Sequence, residues 1–296
     1  MIKIKEIQLV TDSTCDLPIE IIKKFDIELI PVNVIFNNTE VRQPYINLTN
    51  EEFYRRLIAG ESASSGVPSA DIFKQVFDKA LSKGKEIIVI TISSKLSAVY
   101  QTAELAKKQY FDDEVTIVDS NSGTIQTGLV VYLAAKKIAE GASKEEILDY
   151  LQNTIIPNAH LISYAATLKY LRRSGRISKI AQLMGKMLRI KPIFHIGKEG
   201  TIVSPGKIML WQNIELAFKK LLANVAGNQK IETAFIAHSG NPEKCQELID
   251  YFKSLPNAPK EILMAEVGPA VGVHVGPDTF GFVWIGNYSD DWFNDL

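Results

Sequence analysis

Through its first half the chain alternates short apolar runs with amphipathic stretches. "IQLVTD", 7–12, reads as a buried strand that ends in a polar loop. "LPIEIIKKF" has helical spacing, with Pro18 suited to a first turn. "IELIPVNVIF", 27–36, reads as a second strand. "TNEEFYRRLIAG" opens on Thr49 and Glu52 as a capping box and stops at Gly60. "SADIFKQVFDKALSKG" has Ser69 as its N-cap and Gly84 as its stop. Strand "EIIVITIS", helix "SAVYQTAELAKKQ", strand "EVTIVDS" and helix "TGLVVYLAAKKIAEG" follow. "SKEEILDYLQN" then opens on a second capping box, Ser143 with Glu146. Strands this apolar, separated by helices, predict a parallel sheet covered on both faces.

Beyond about Asn158 the pattern changes. "HLISYAAT" is a strand, "LKYLRRSGRIS" a short basic helix with a glycine turn, and "IAQLMGKMLRI" an apolar helix rich in Met and Leu. "KPIFHIGKEGTIVSPGKI" predicts a hairpin around "GKEG". Helix "WQNIELAFKKLLANVA", strand "IETAFIAHS", helix "PEKCQELIDYFKSL" and strand "EILMAEVG" come next, and "TFGFVWIG" is the last strand. The expected architecture is α/β with two domains. Residues 1–158 form a parallel-sheet α/β domain, and residues 159–296 form an α+β domain.

Composition narrows the function classes. The chain has 296 residues, 46% hydrophobic and 23% charged, which suits one or two real cores. A formal net charge of −1 supplies no broad basic field for nucleic acid. Cys15 and Cys245 stand far apart without a partner pattern, so a reduced, cytoplasmic setting is expected and a disulfide framework is not. His160, His195, His238 and His274 share no metal-ligand spacing, so neither a metal nor a cofactor is expected. No leader or membrane-spanning run is read in the sequence.

Chemistry has to come from hydroxyls, because the chain has no Walker loop, no G-x-S-x-G elbow and no H-E-x-x-H. The strand ends "TDST", "TISS" and "VDSNS" sit where open α/β sheets hold ligands. "SASSGVPSA" carries Ser64, Ser65 and Ser69, and "TISSKLSAVYQTA" carries Ser93, Ser94 and Ser97. Each cluster reads either as a turn with a helix cap or as a cradle for one anion, built from hydroxyls and free helix N–H groups. "LRRSGRISK" reads either as a solvated face or as a docking patch. The helix with Met184, Met187 and Leu188 is either core or the wall of a lipid tunnel. His274, in "PAVGVHVG", stands alone on what reads as an apolar strand, either a satisfied core ring or a ligand-binding group.

Seven segments in order resemble the DegV family. They are "VTDSTCDLP" (10–18), "SGVPS" (65–69), "ISSKLSAVYQTA" (92–103), "VDSNS" (118–122), "LRRSGRISK" (171–179), "IKPIFHI" (190–196) and "GPAVGVHVG" (268–276). The family comprises bacterial fatty-acid-binding proteins that act as the binding subunit of a two-part fatty acid kinase. The resemblance implies a carrier rather than an enzyme. One long-chain fatty acid lies between the two domains, with its carboxylate on Ser65, Ser97 and His274. Ser64, Ser94 and Ser120 belong to the supporting loops. A separate kinase subunit phosphorylates the carboxylate, and the acyl phosphate enters phospholipid synthesis. Arg172, Arg173, Arg176 and Lys207 are the candidate positions for docking that kinase or a membrane surface. The chain departs from the family pattern at Gly66, at Ala98 and Val99, at Lys207 in place of an arginine, and at Asp278 in place of a glycine. A stand-alone esterase using Ser97 and His274, or another small-anion binder, is the alternative.

Overall fold

The structure, a computed structural model, describes residues 6–111, 114–176, 190–209, 213–227, 229–294 and 296. The Met-rich helix expected at 180–190 lies outside the described residues up to its last position. Positions 177–179 of the basic segment and residues 211–212 also lie outside them.

Strand β1 (Ile7–Asp12) leads through helix α1 (Ile19–Lys24) to β2 (Glu28–Ile30), which pairs parallel with it. The apolar run read as one strand is then broken. Pro31 has no N–H, and the Val32 N–H donates to Ser13 Oγ (2.9 Å) instead of a neighbouring strand. The chain resumes as β3 (Asn33–Phe36) in a different sheet, between β4 (Glu40–Arg42) and β5 (Ala63–Gly66). Helix α2 (Asn50–Ile58) lies between those two strands in sequence. Thr49 Oγ1 caps it by accepting from the Glu52 N–H (3.1 Å), but the Glu52 carboxylate turns to Arg42 and Arg56, so the expected box closes on one side only. Helix α3 (Ala70–Leu81), β6 (Glu86–Thr91), α4 (Val99–Tyr110), β7 (Val115–Asp119), α5 (Ile125–Ala139) and α6 (Lys144–Asp149) follow. The capping box at Ser143 and Glu146 closes reciprocally. The first sheet is wholly parallel, in the order β2-β1-β6-β7.

The chain enters a second sheet at β8 (Ala159–Tyr164). After α7 (Lys169–Arg173) come β9 (Ile190–Ile196) and β10 (Ile202–Met209), the predicted hairpin. Helix α8 (Ile214–Gly227), β11 (Thr233–His238), α9 (Pro242–Ser254), β12 (Glu261–Glu266), α10 (Pro269–Val275) and β13 (Phe280–Ile285) complete the fold. The order is β10-β9-β8-β13-β11-β12, antiparallel except for the β11–β12 pair.

One face of this sheet is covered by α8 and α9, where Phe218, Leu221 and Phe252 pack with Phe282 and Trp284. The other face meets α5. Helix α5 is apolar nearly all round, and its residues pack with Leu9 and Ile88 of the first sheet and with Leu161, Phe235 and Val283 of the second. It approaches Cys15 so closely that a side chain at Gly128 would collide with the Cys15 carbonyl. Both cysteines are buried and free.

The segment bearing His274 is a helix, not the strand suggested by its apolar composition. Pro269 opens α10 at its first position, the Gly268 N–H is bound by Asp16 Oδ1 (2.9 Å), and Gly276 closes it at φ 76°. Helical spacing therefore decides what shares a face with His274.

Candidate functional site: an apolar cavity with a serine–histidine end

Helix α10 turns Ala270, Val271, His274 and Val275 to one side, spaced as one helical face. Its other side, Gly272 and Val273, packs on Phe53 and Tyr54 of α2. The first side forms one wall of a cavity. Leu161 and Phe194 of the second sheet, Ile92 and Leu96 of the first lobe, and Ile202 of β10 supply apolar walls. An inner end continues past Val271 and Val275 towards Ala237 and Gly281. At the mouth the cavity opens into a polar vestibule beside Ser94, Ser97 and Arg176.

Ser65 and His274 lie 209 positions apart and meet here, with Ser65 Oγ 2.9 Å from His274 Nε2. Pairing of Val34 with Ser65 and Ile35 with Ser64 places these two serines on a strand, while Ser69 stands at the N-cap position of α3 as expected, without a side-chain capping bond. Strand alternation sends Ser65 to the cavity and Ser64 to solvent. The Nδ1 of His274 is buried without a hydrogen-bond partner among the described residues. A buried N–H left unpaired costs about 1–3 kcal/mol, so the favoured tautomer carries its proton on Nε2. That proton is donated to Ser65 Oγ and leaves the Ser65 hydroxyl free to donate into the cavity.

Burial holds the His274 pKa down at about 4, from 6.5, with the charges of Arg176 and Arg173 adding to the effect. The folded protein thus keeps this ring neutral where the unfolded chain protonates it. Its effect on stability follows: no penalty above pH 6.5, and a growing penalty as pH falls towards 4. Unfolding free energies of ligand-free wild type and His274→Gln should show this as a difference. Wild type is expected to lose up to about 3 kcal/mol relative to the variant between pH 7 and pH 4. A pH-independent difference would contradict it.

The other expected residues divide. Ser97 lies just ahead of α4, accepts from the Val99 N–H (3.4 Å), and lines both cavity and vestibule. Ser94 lines the vestibule, its N–H held by the Asp119 carboxylate. Ser120 is fully buried and does not line the cavity; its hydroxyl meets Thr127 Oγ1 (3.3 Å) and supports the turn into α5. Among the arginines, Arg176 is a cavity-wall residue and not only a surface charge. Its Nη1 donates to the Ser174 carbonyl (2.6 Å) and its Nε to the Leu96 carbonyl (3.4 Å). Arg173 donates to the Ala63 carbonyl beside β5 (2.9 Å), and Arg172 is exposed. The sequence reading had assembled the head-group set without an arginine; the structure brings one to it. Lys207 is exposed on β10, five residues beyond Ile202 and so roughly 16 Å along the strand. Asp278 takes φ 55°, a conformation glycine adopts freely and aspartate tolerates, and its N–H donates to the Ser239 carbonyl (2.9 Å).

Two residues of the site escaped the sequence reading. Thr124 stands at φ 51°, a rare conformation for a β-branched residue, and lines the cavity. Its Oγ1 donates to Asp16 Oδ2 (2.6 Å), and the other oxygen of the same carboxyl binds the first N–H of the α10 turn. Asp16 is wholly buried, and desolvation raises its pKa well above the ordinary value. It ties the cavity wall at Thr124 to the helix that carries His274. The motif holding Asp16 was legible; the contact was not. Among the described residues no group of side chains is arranged to hold a metal ion. No helix among them is long and apolar enough to cross a membrane.

These features define an α/β protein of three sheets with a mostly apolar cavity that carries a serine–histidine pair on its wall. The family model matching residues 6–287 is that of DegV, described as an uncharacterised protein family. The chain belongs to the DegV family. A DegV domain-containing protein of Clostridium perfringens is 31% identical over 282 residues, covering 94% of this chain and 97% of its own. A DegV family protein from Thermus thermophilus, described as fatty-acid-binding, superposes with a TM-score of 0.86 at 27% identity, over 95% of this chain and 100% of that one. A protein from Thermotoga maritima, whose structure was described as revealing a fatty-acid-binding function, gives 0.80 at 26%, with the same coverage.

Proposed function

We propose that this protein binds one long-chain fatty acid between its two lobes, residues 1–158 and 159–296, with the carboxylate at the Ser65–His274 end. The single observation that carries this reading is a serine–histidine pair on the wall of a mostly apolar cavity. Burying roughly fifteen methylenes at about 0.8 kcal/mol each gives about 12 kcal/mol gross. Association and tail ordering take several kcal/mol of that, leaving about −8 kcal/mol, a micromolar complex. Ser65, Ser97 and His274 then orient the head, and the nearby Arg176 guanidinium favours its charged form. The two characterised relatives support the same reading.

The carboxylate is presented at the vestibule to a separate kinase subunit, for an acyl phosphate that feeds phospholipid synthesis. In this reading the chain performs no phosphoryl transfer itself. Arg172 and Arg173 offer exposed positive charge close to that opening, for the kinase or an anionic membrane surface. Lys207 adds exposed positive charge on β10.

The esterase alternative meets a specific objection. Serine–histidine hydrolysis needs a carboxylate on the far imidazole nitrogen, and His274 Nδ1 has no partner among the described residues. A p-nitrophenyl ester should not be turned over; turnover lost on Ser97→Ala would reverse the choice. Mass spectrometry of the denatured protein should release a C14–C18 acid. His274→Ala should lower affinity for the delipidated protein by roughly tenfold, because the Ser65 hydroxyl loses the donor that aims its own proton at the carboxylate. Unchanged lipid content and affinity in that variant would remove His274 from the site.

A further inference from the structure

The cavity face of the second sheet breaks its own pattern at one residue. On β8, Ala159 and Leu161 face α5 and the cavity, while Ile162 and Tyr164 face α8 and α9. Alternation places Ser163 on the cavity side, and it lines both the main cavity and its inner end. Its partners on the adjacent strands are Gly281 and Phe194, and the same face continues with Val283, Phe235 and Ala237. A hydroxyl on a face that packing would fill with Val or Ile is the kind of local inconsistency that marks function.

Ser163 Oγ has no hydrogen-bond partner among the described residues. Two other hydroxyls line the same stretch. Thr124 Oγ1 donates to Asp16, and Thr279 Oγ1 donates to the carbonyls of Val275 (3.2 Å) and Gly276 (3.3 Å). Their protons are committed and their remaining lone pairs are not. One free donor and two acceptors therefore line the same inner end. Ser65, Ser97, Arg176 and His274 all line the main cavity, and none of them lines the inner end.

We infer that the acyl chain this cavity is built to take carries a hydroxyl group along its length, with Ser163 as the residue that selects it. This rests on the fatty-acid reading above and names the substrate class within it. A bare polymethylene chain removes water from Ser163 and returns no hydrogen bond. A chain hydroxyl accepts from Ser163 and donates to Thr124 or Thr279.

The test uses the delipidated full chain with stearate and with hydroxystearates bearing the hydroxyl at C8, C10, C12 or C14. At least one hydroxystearate is expected to bind roughly tenfold tighter than stearate, the scale of one hydrogen bond in a dry site. Ser163→Ala should remove that preference by weakening the hydroxy acid while stearate binds as well or better, and Ser163→Thr should retain it. If no acid of the set binds, the fatty-acid reading itself fails. If stearate binds but no hydroxystearate binds tighter, or the preference survives in Ser163→Ala, the inference is overturned.

Discussion

Replacing Val271 by tryptophan is expected to lower affinity for C16 and C18 acids by more than 100-fold while leaving the protein folded. Val271 lies on the cavity face of α10, where the main cavity passes into its inner end. It is only partly buried, so an indole has space to enter, and that space is the acyl channel. Blocking the channel there, one helical turn from His274, denies burial to at least half of a long chain. Eight methylenes at about 0.8 kcal/mol each are worth about 6 kcal/mol gross, and half of that surviving the ordering terms is about a hundredfold in affinity. Val271 stands one helical turn from His274, so an eight-carbon acid should also lose affinity in the variant, but far less than palmitate. Titration with octanoate and palmitate separates the cases. Equal loss for both acids would mean the substitution had disturbed the head-group end, and no loss for palmitate would place the tail elsewhere.

Gly276→Ala is expected to cost about 3–5 kcal/mol of stability. The residue stands at φ 76° and ψ −177°, a region essentially reserved to glycine, where another residue costs about 1–3 kcal/mol. An added Cβ would also collide with the ring of Tyr170, and forcing extra volume into a packed contact adds about 1–3 kcal/mol. Tyr170 lies under the Arg173 guanidinium, 5.6 Å from ring centroid to charge, so displacing it also disturbs that contact. Urea unfolding checks the magnitude. The double variant with Tyr170→Ala checks the cause: the clash disappears, so the two losses should add to less than their sum. Full additivity would leave backbone strain alone as the explanation.

How much of this site could be read in advance depends on the range of the contact. The helices around α2, α3 and α6, the parallel strands β1, β6 and β7, and the β9–β10 hairpin all follow from local period, caps and turns. These depend on residues a few positions apart. The reading failed where a short segment was judged by composition alone. The run 27–36 looked like one strand because Pro31 was outweighed by its neighbours, and "PAVGVHV" looked like a strand because valine favours strands. In both places the decisive partner is remote in sequence, Ser13 for Val32 and Asp16 for the Gly268 that opens α10. Tertiary contacts of this kind routinely outweigh propensity.

The sequence by itself determined the family, the two kinds of sheet, the lack of a clustered metal-ligand motif, and the small set of hydroxyls and one histidine from which a head-group site could be made. Their order along the chain is a local property, and it survives without coordinates. Only the tertiary structure decided that Ser65 meets His274 across 209 positions, that Arg176 turns into the cavity while Ser120 does not, and that Ser163 stands alone on an apolar face. Those outcomes depend on which face of a strand or helix meets which neighbour. A difference of one residue in register reverses the face, and no local pattern in this sequence fixes it for residues so far apart.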